Sequence, residues 1–338
     1  MTNRFKKVLV TGGAGYVGSL LVPQLLDLGY EVVSYDIQFF GDDFLPKNDP
    51  KLTSVKGDIR DTAALSQALK GCDAMINLAC ISNDASFELN ESLSETINFD
   101  AFEPMVIAAK AAGVKRFVYA SSSSVYGVSD EPDVKEDHPL LPLTLYNKFK
   151  GMCEPILEKY LDSSFTGVTI RPATLCGYAP RCRLDLSVNI LTNHAVNNKK
   201  IIVLGGGEQK RPNLDIRDMC RAYEAILDAD EKLINNEIFN VSCSNKKIIE
   251  LAELVKKNVE SFYGISDIDI EIKNETVDKR SYHVNADKIK RVIGFETKYS
   301  IDDAIISLCE AFKAGNLPNS LNDSKYINVD VLKSNNVL

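Results

Sequence analysis

KVLVTGGAGYVGSLLVPQLLDLG, Lys7 to Gly29, is the stretch on which the fold turns. Its first five residues form a continuous apolar run without alternation, which suits a parallel strand buried on both faces. A turn follows with glycines at 12, 15 and 18, and then a helical pattern that stops at Gly29. Each glycine has a physical task. Gly12 permits the tight turn, Gly15 lets a pyrophosphate approach backbone N–H groups, and Gly18 lets helix and strand pack closely. The anion then sits at the positive end of a helix dipole. In this strand–turn–helix setting the pattern reads as a dinucleotide fingerprint. Asp36 ends the next strand, EVVSYD, and its carboxylate is placed to accept hydrogen bonds from ribose hydroxyls. No Arg or Lys follows over 37–41 to meet a 2′-phosphate, so NAD is expected rather than NADP.

Further along, strands are expected at 52–56, 73–80, 115–121 and 167–174, alternating with helices at 61–70, 92–112 and 146–161. The alternation predicts an α/β fold, a Rossmann-type doubly wound parallel sheet. After Thr174 the texture becomes polar and Asn-rich. LDIRDMCRAYEAILDA is expected to return to the main fold as a short strand and a helix, with EIFNVS as another strand. The reading gives two domains: 1–174 plus about 214–240, and a smaller, mostly helical C-terminal one of about 175–213 plus 241–338. The Asn- and Ser-rich tail after Pro318 is expected to be frayed or loosely packed.

Composition narrows the function. A net charge of −8, with no long basic run, argues against nucleic-acid binding. No run of about 18 apolar residues suggests a membrane span, and MTNRFKKVLVTGG lacks a signal-peptide apolar core. A cytoplasmic protein is expected. The eight cysteines form no CxxC pair and read as reduced, mostly buried side chains. The three histidines have no ligand spacing, so no metal site is expected.

Two further stretches carry chemistry. SSSSVYG, Ser121 to Gly127, ends an expected buried strand with four serines. YNKFK places Tyr146 and Lys150 four residues apart on one helical face. A nearby ammonium favours phenolate, so the phenol can exchange a proton nearer neutral pH.

With these motifs in their order, together with GDIRD, NLAC, Asn98 and RPATLCGY, the chain resembles an extended short-chain dehydrogenase/reductase of the NAD-dependent nucleotide-sugar epimerase/dehydratase family. The resemblance implies a catalytic set of Ser122, Tyr146 and Lys150. It also implies that the smaller domain binds a nucleotide-diphosphate sugar. Around NAD it implies Gly12, Gly15, Tyr16, Val17, Gly18, Asp36, Asp58, Ile59, Leu78, Ala79, Asn98, Ser121, Tyr146, Lys150 and Ala173, with Asp58 reaching the adenine. Asp58 also reads as a helix cap ahead of RDTAAL. On the substrate side the resemblance implies Ser123, Ser124, Thr174, Asn189, Arg211 and Arg280, the arginines meeting the diphosphate.

Ser123 and Ser124 stand where related dehydratases carry Asp-Glu and decarboxylases Ser-Glu, so neither of those activities is expected. Asp215 stands where many relatives have His, and little effect on chemistry is expected. PRCRLDL resembles a subgroup from bacterial surface-sugar pathways that includes nucleotide-heptose 4-dehydrogenases. It makes Arg181, Arg183 and Asp185 candidate substrate or subunit contacts. The expected activity is C4 epimerisation of a nucleotide-hexose in surface polysaccharide biosynthesis. The alternative is a 4-dehydrogenase or 4-ketoreductase; a non-catalytic NAD sensor is disfavoured by the intact Ser-Tyr-Lys set. The family habit of dimerising through two long helices implies a homodimer through 92–112 and 146–161, where Met105, Ile107 and Ile156 fit either that contact or the ordinary core.

Overall fold

The computed structural model describes residues 4–129, 131–274 and 283–334. Seven parallel strands form the main sheet: β1 (Lys7–Thr11), β2 (Glu31–Asp36), β3 (Leu52–Lys56), β4 (Ala74–Asn77), β5 (Arg116–Ala120), β6 (Thr166–Pro172) and, later in the chain, Glu237–Val241. Their spatial order runs from Glu237–Val241 through β6, β5, β4, β1 and β2 to β3. The direction of winding reverses between β1 and β4. At such a switch point the ends of the strands part and leave a crevice for ligand. The pair is pinned there: Thr11 faces Asn77, and its hydroxyl donates to Asn77 Oδ1 at 2.7 Å.

β1 is buried on both faces, as its apolar run requires. Val8 and Val10 belong to one core, with Leu21 and Leu25 of the helix Gly18–Asp27 and Met219 and Tyr223 of the helix Ile216–Asp228. Leu9 belongs to the opposite core, with Met75, Phe102, Phe117 and Leu157.

Beyond β6 the chain leaves the sheet. β7 (Thr174–Cys176), β8 (Lys200–Leu204), β9 (Lys210–Asp215), β10 (Glu237–Val241, the edge strand above), β11 (Ser244–Lys247) and β12 (Asp269–Lys273) complete the strands. β9 lies between β11 and β7 in a three-stranded sheet, and β8 pairs with β12. The strand of LDIRD therefore does not return to the main sheet, although the helix after it packs on that sheet and β10 joins its edge. Helices Ser187–Asn198, Ile248–Tyr263 and Ile301–Lys313 enclose a separate apolar core containing Val188, Leu191, Leu251, Val255 and Ile305.

Two expectations need correction. The helix expected over 92–112 is interrupted by a π turn, Thr96–Asp100, between Glu91–Glu95 and Phe102–Ala111. The described part of the tail, to residue 334, is not frayed: Ser320, Tyr326, Asn328, Val331 and Leu332 are buried, and Asn328–Ser334 is helical. Its buried polar residues Ser320 and Asn328 are spent on internal bonds, such as Ser320 Oγ to Asn193 Oδ1 at 2.7 Å. Leu332 packs among Ile81, Phe87 and Phe149.

Candidate active site

The glycine loop closes against the carboxyl ends of β1 and β4. Gly12 has φ +71°, and a Cβ there would stand 2.9 Å from the Ala79 backbone nitrogen. A Cβ on Gly18 would lie 2.4 Å from the Gly13 carbonyl oxygen, so only glycine lets the helix start so close to the turn. Val17, the N-cap residue, has no side-chain oxygen to satisfy the first amides of the helix. Those features fit a pyrophosphate at this helix end. Asp36 is oriented by the loop, accepting from Ala14 N at 3.0 Å and Gln38 N at 2.6 Å. Burial raises its pKa, against the pull of those amides.

Gly12, Gly15, Tyr16, Val17, Gly18 and Asp36 line one cleft with Asp58, Ile59, Leu78, Ala79 and Ala173. The cleft holds about 490 Å³. Asp58 is clasped by Arg60, whose Nη2 lies 2.6 Å from Oδ2. Burial acts to raise the Asp58 pKa, but the Arg60 bonds outweigh it and the carboxyl sits below its usual value. Asp58 does not cap the next helix; Asp61 does, accepting from Ala64 N at 2.9 Å.

The serine loop forms the next wall. Ser121, Ser122, Ser123, Ser124, Tyr146 and Lys150 all border the cleft. Ser122 precedes a short 3₁₀ turn, Ser123–Tyr126, and its hydroxyl lies 2.6 Å from that of Ser124. Ser124 in turn donates to Asn147 Oδ1. Tyr146 and Lys150 project from the helix Leu145–Glu158, whose start is capped by Thr144. Lys150 is buried, its Nζ donating to the Ala120 carbonyl at 2.7 Å. The ammonium is thereby held at the end of β5, beside the serines.

Behind the wall lies a buried polar chain that the sequence reading did not single out. Ser121 Oγ donates to Glu154 Oε1 at 2.7 Å. Glu154 is paired with Arg171 through bonds of 3.0 and 2.6 Å. Arg171 also donates to the Tyr126 hydroxyl at 2.8 Å, which donates to Asn240 Oδ1 at 2.7 Å. Burial alone would lower the arginine's pKa; Glu154 reverses that and holds the guanidinium charged. The signal lay in charged residues at apolar positions, Glu154 in a helix and Arg171 in a core strand.

Not every expected contact reaches the cleft. Asn98 sits in the π turn and spends its amide on Ile81, accepting from N at 2.8 Å and donating to O at 2.9 Å. It braces the loop after β4 and is not part of the cleft lining. Asn189 accepts from Gly177 N at 2.9 Å and donates to Arg183 O at 2.7 Å and Tyr16 Oη at 3.1 Å. With its amide spent, it steadies Tyr16 and is likewise absent from the lining. Thr174 and Arg211 do border the cleft. Arg280 lies outside the described residues. Asp215 is fully buried and caps the helix Ile216–Asp228, with Arg217 Nη2 2.6 Å away.

Arg181, Arg183 and Asp185 also line the cleft, as do Phe40, Asn328 and Leu332. Arg183 meets Asp185 through bonds of 2.9 and 3.0 Å. Burial acts to raise the Asp185 pKa, but Arg183 outweighs it and holds the carboxyl below its ordinary value. The tail joins this group: Asn328 N donates to Asp185 Oδ2 at 3.2 Å and its amide to Ser82 Oγ at 2.7 Å.

The fold and its glycine-lined crevice define a Rossmann-type protein of the extended short-chain dehydrogenase/reductase class. The chain belongs to the NAD-dependent epimerase/dehydratase family, whose model matches residues 8–242. It is therefore an NAD-dependent enzyme of the nucleotide-sugar epimerase/dehydratase kind. It is 27% identical over 306 residues to the low-salt glycan biosynthesis protein Agl12 of Haloferax volcanii, covering 88% of this chain and 96% of that one. It is 27% identical over 328 residues to the UDP-glucose 4-epimerase of Lactobacillus helveticus, covering 88% and 94%. Among solved structures it is similar to the UDP-N-acetylglucosamine 4-epimerase from Methanobrevibacter ruminantium M1 in complex with UDP-N-acetylmuramic acid. There the TM-score is 0.81 at 25% identity, over 93% of this chain and 99% of that one. Among the described residues, no helix is long and apolar enough to cross a membrane.

Proposed function

We propose that the protein is a nucleotide-sugar 4-epimerase, acting on a nucleotide-diphosphate hexose in the biosynthesis of a surface polysaccharide or glycan. Residues 1–174 plus about 214–240 hold NAD, and about 175–213 plus 241–338 hold the nucleotide sugar. Bound NAD supplies a reversible acceptor for the hydride of the sugar carbon. Tyr146 takes the proton of the sugar 4-hydroxyl at its phenol oxygen and later returns it. The Lys150 ammonium favours the phenolate form that receives this proton. Ser122 orients the hydroxyl, and Ser121 braces the nicotinamide end through Glu154. Thr174, Ser123 and Ser124 shape the sugar pocket, while Arg211 and Arg280 meet the diphosphate.

The observation that carries epimerisation is the chemistry of the serine loop. Ser123 and Ser124 are buried neutral hydroxyls beside Ser122, and that loop offers no carboxylate to assist loss of a 6-hydroxyl. A keto sugar formed there is left intact, free to turn and take its hydrogen back on the other face. A second reading stops at the keto sugar, as a 4-dehydrogenase would; the placement of Arg183 and Asp185 in the cleft favours it, because PRCRLDL resembles such enzymes.

One assay separates the two. Purified protein is incubated with UDP-, GDP- and dTDP-sugars and trace NAD, following sugar isomers and NADH absorbance together. A new C4 isomer without net NADH is expected. Stoichiometric NADH under excess NAD, with a keto product and no isomer, would replace the epimerase reading by the dehydrogenase one.

A further inference from the structure

Two buried arginines stand in the cleft wall and differ in one respect. Arg183 has its counter-charge in Asp185. Arg181 pairs with no carboxylate among the described residues, although it is only 2% exposed. Its guanidinium lies over the Phe40 ring, 3.6 Å from the centroid, and one terminal nitrogen donates to Asn328 Oδ1. Its Nε is buried with no hydrogen-bond partner among the described residues. Asp185 and Asp36 act on it through space but neither bonds it. A buried cation compensated only in this way is costly, and so is a buried donor without an acceptor. Both costs are removed if an anion binds beside it.

The position says which anion. Arg181 borders the same cleft as Gly12, Gly15 and Tyr16. Its own backbone N–H donates to Ser19 Oγ at 3.1 Å, in the first turn of the helix Gly18–Asp27. The residue is thus tied to the helix end at which the glycine loop receives a phosphate. Burial first, and then the charge of Arg183, lowers the Arg181 pKa to about 9, with Asp185 opposing them only in part. A dianion at the loop would push it back up.

We propose that Arg181 supplies the side-chain cation for the pyrophosphate of the bound dinucleotide, its plane fixed by Phe40 and by Asn328 of the C-terminal helix. This rests on the assignment of the glycine loop as the NAD site. It makes the last described helix a working part of that site. Two other phosphates offer the same chemistry: a 2′-phosphate on the adenosine ribose, and the diphosphate of the sugar nucleotide. Asp36 opposes the first, since its carboxylate stands where the ribose hydroxyls bind. The second belongs to the Arg211 side of the cleft in the reading above.

Calorimetry on full-length protein freed of nucleotide tests this with NAD, ADP-ribose, adenosine, NADP and UDP. Arg181→Met is expected to weaken NAD and ADP-ribose roughly 10- to 100-fold, the worth of a charge-assisted bond. Adenosine and UDP should bind as before. Asn328→Ala should weaken NAD by a smaller factor, and Arg181→Lys should keep part of the affinity. Without nucleotide, Arg181→Met should melt no lower than the parent, because it removes a buried charge that no carboxylate bonds directly. Unchanged NAD affinity in folded Arg181→Met overturns the proposal, as does a loss confined to NADP or to UDP. If Arg181→Met does not fold, unchanged NAD affinity in Asn328→Ala overturns it. Parent protein that binds neither NAD nor ADP-ribose would instead overturn the reading of the glycine loop.

Discussion

Replacing Tyr146 by Phe removes one oxygen and keeps the ring that borders the cleft. If that oxygen moves the sugar proton, turnover should fall by roughly 10²- to 10⁴-fold while NAD binding is unchanged. Epimer formation and NAD titration, measured on the same preparation, check both halves. Asp185 gives a second test. Burial acts against its ionisation, yet Arg183 holds its pKa below the ordinary value. A carboxyl with a lowered folded pKa adds stability that is full above its unfolded value, about 3.9, and is lost as pH falls through the folded value. Urea midpoints should therefore drop on acidification through that window. Asp185→Asn should lower the midpoint at pH 7 and flatten the acid limb. What was legible at this scale was chemistry that repeats locally: Gly12 and Gly18, Asp36 at a strand end, a Tyr and a Lys one helical turn apart. The family resemblance put Asn98 beside NAD and Asn189 beside the nucleotide sugar, and named no partner for either within the chain. Their amides are spent on the backbone of Ile81, Gly177 and Arg183, and which backbone arrives there is decided by the fold.

The serine wall depends on two elements meeting, the helix Leu145–Glu158 and β6. Glu154 and Arg171 join them, with side chains 6% and 4% exposed. Glu154→Gln leaves Arg171 charged and unmatched in a site that excludes water. Breaking such a pair should cost about 3–5 kcal/mol, readable by urea denaturation. Replacing both residues by Met removes the uncompensated charge. The double variant should be more stable than Glu154→Gln alone, and failure of that recovery would show that the pair is not the source of the loss. Element types were largely readable, because parallel strands buried on both faces have continuous apolar runs. Sheet membership was less so. β9 has the apolar and polar residues of any short strand, and only its pairing with β7 and β11 puts it outside the main sheet. The π turn at Thr96–Asp100 was hidden for a similar reason: one extra residue in a turn leaves the apolar spacing on either side intact.

For the whole molecule, the tail was misread because its Asn and Ser residues look like loop composition. In the fold they pair with Asn193, Arg181 and Ser82, and Leu332 closes an apolar cluster. Assembly is the remaining question at this scale. Met105 and Ile156 are core, whereas Ile107 is 47% exposed and Met152 is 38% exposed. These two lie on Phe102–Ala111 and Leu145–Glu158, which pack against each other. Single exposed apolar residues are ordinary, but two on neighbouring helices give a surface that a second copy could cover by an isologous four-helix contact. The homodimer expected from the sequence would use this face. Sedimentation should give twice the mass of the 37.4 kDa chain. Ile107→Glu would place a charge on each copy's side of that contact. It should halve the mass without lowering NAD affinity, since Ile107 is not among the residues lining the cleft. A parent protein of monomer mass at micromolar concentration would exclude the dimer, and an Ile107→Glu variant of unchanged dimer mass would move the interface to another face.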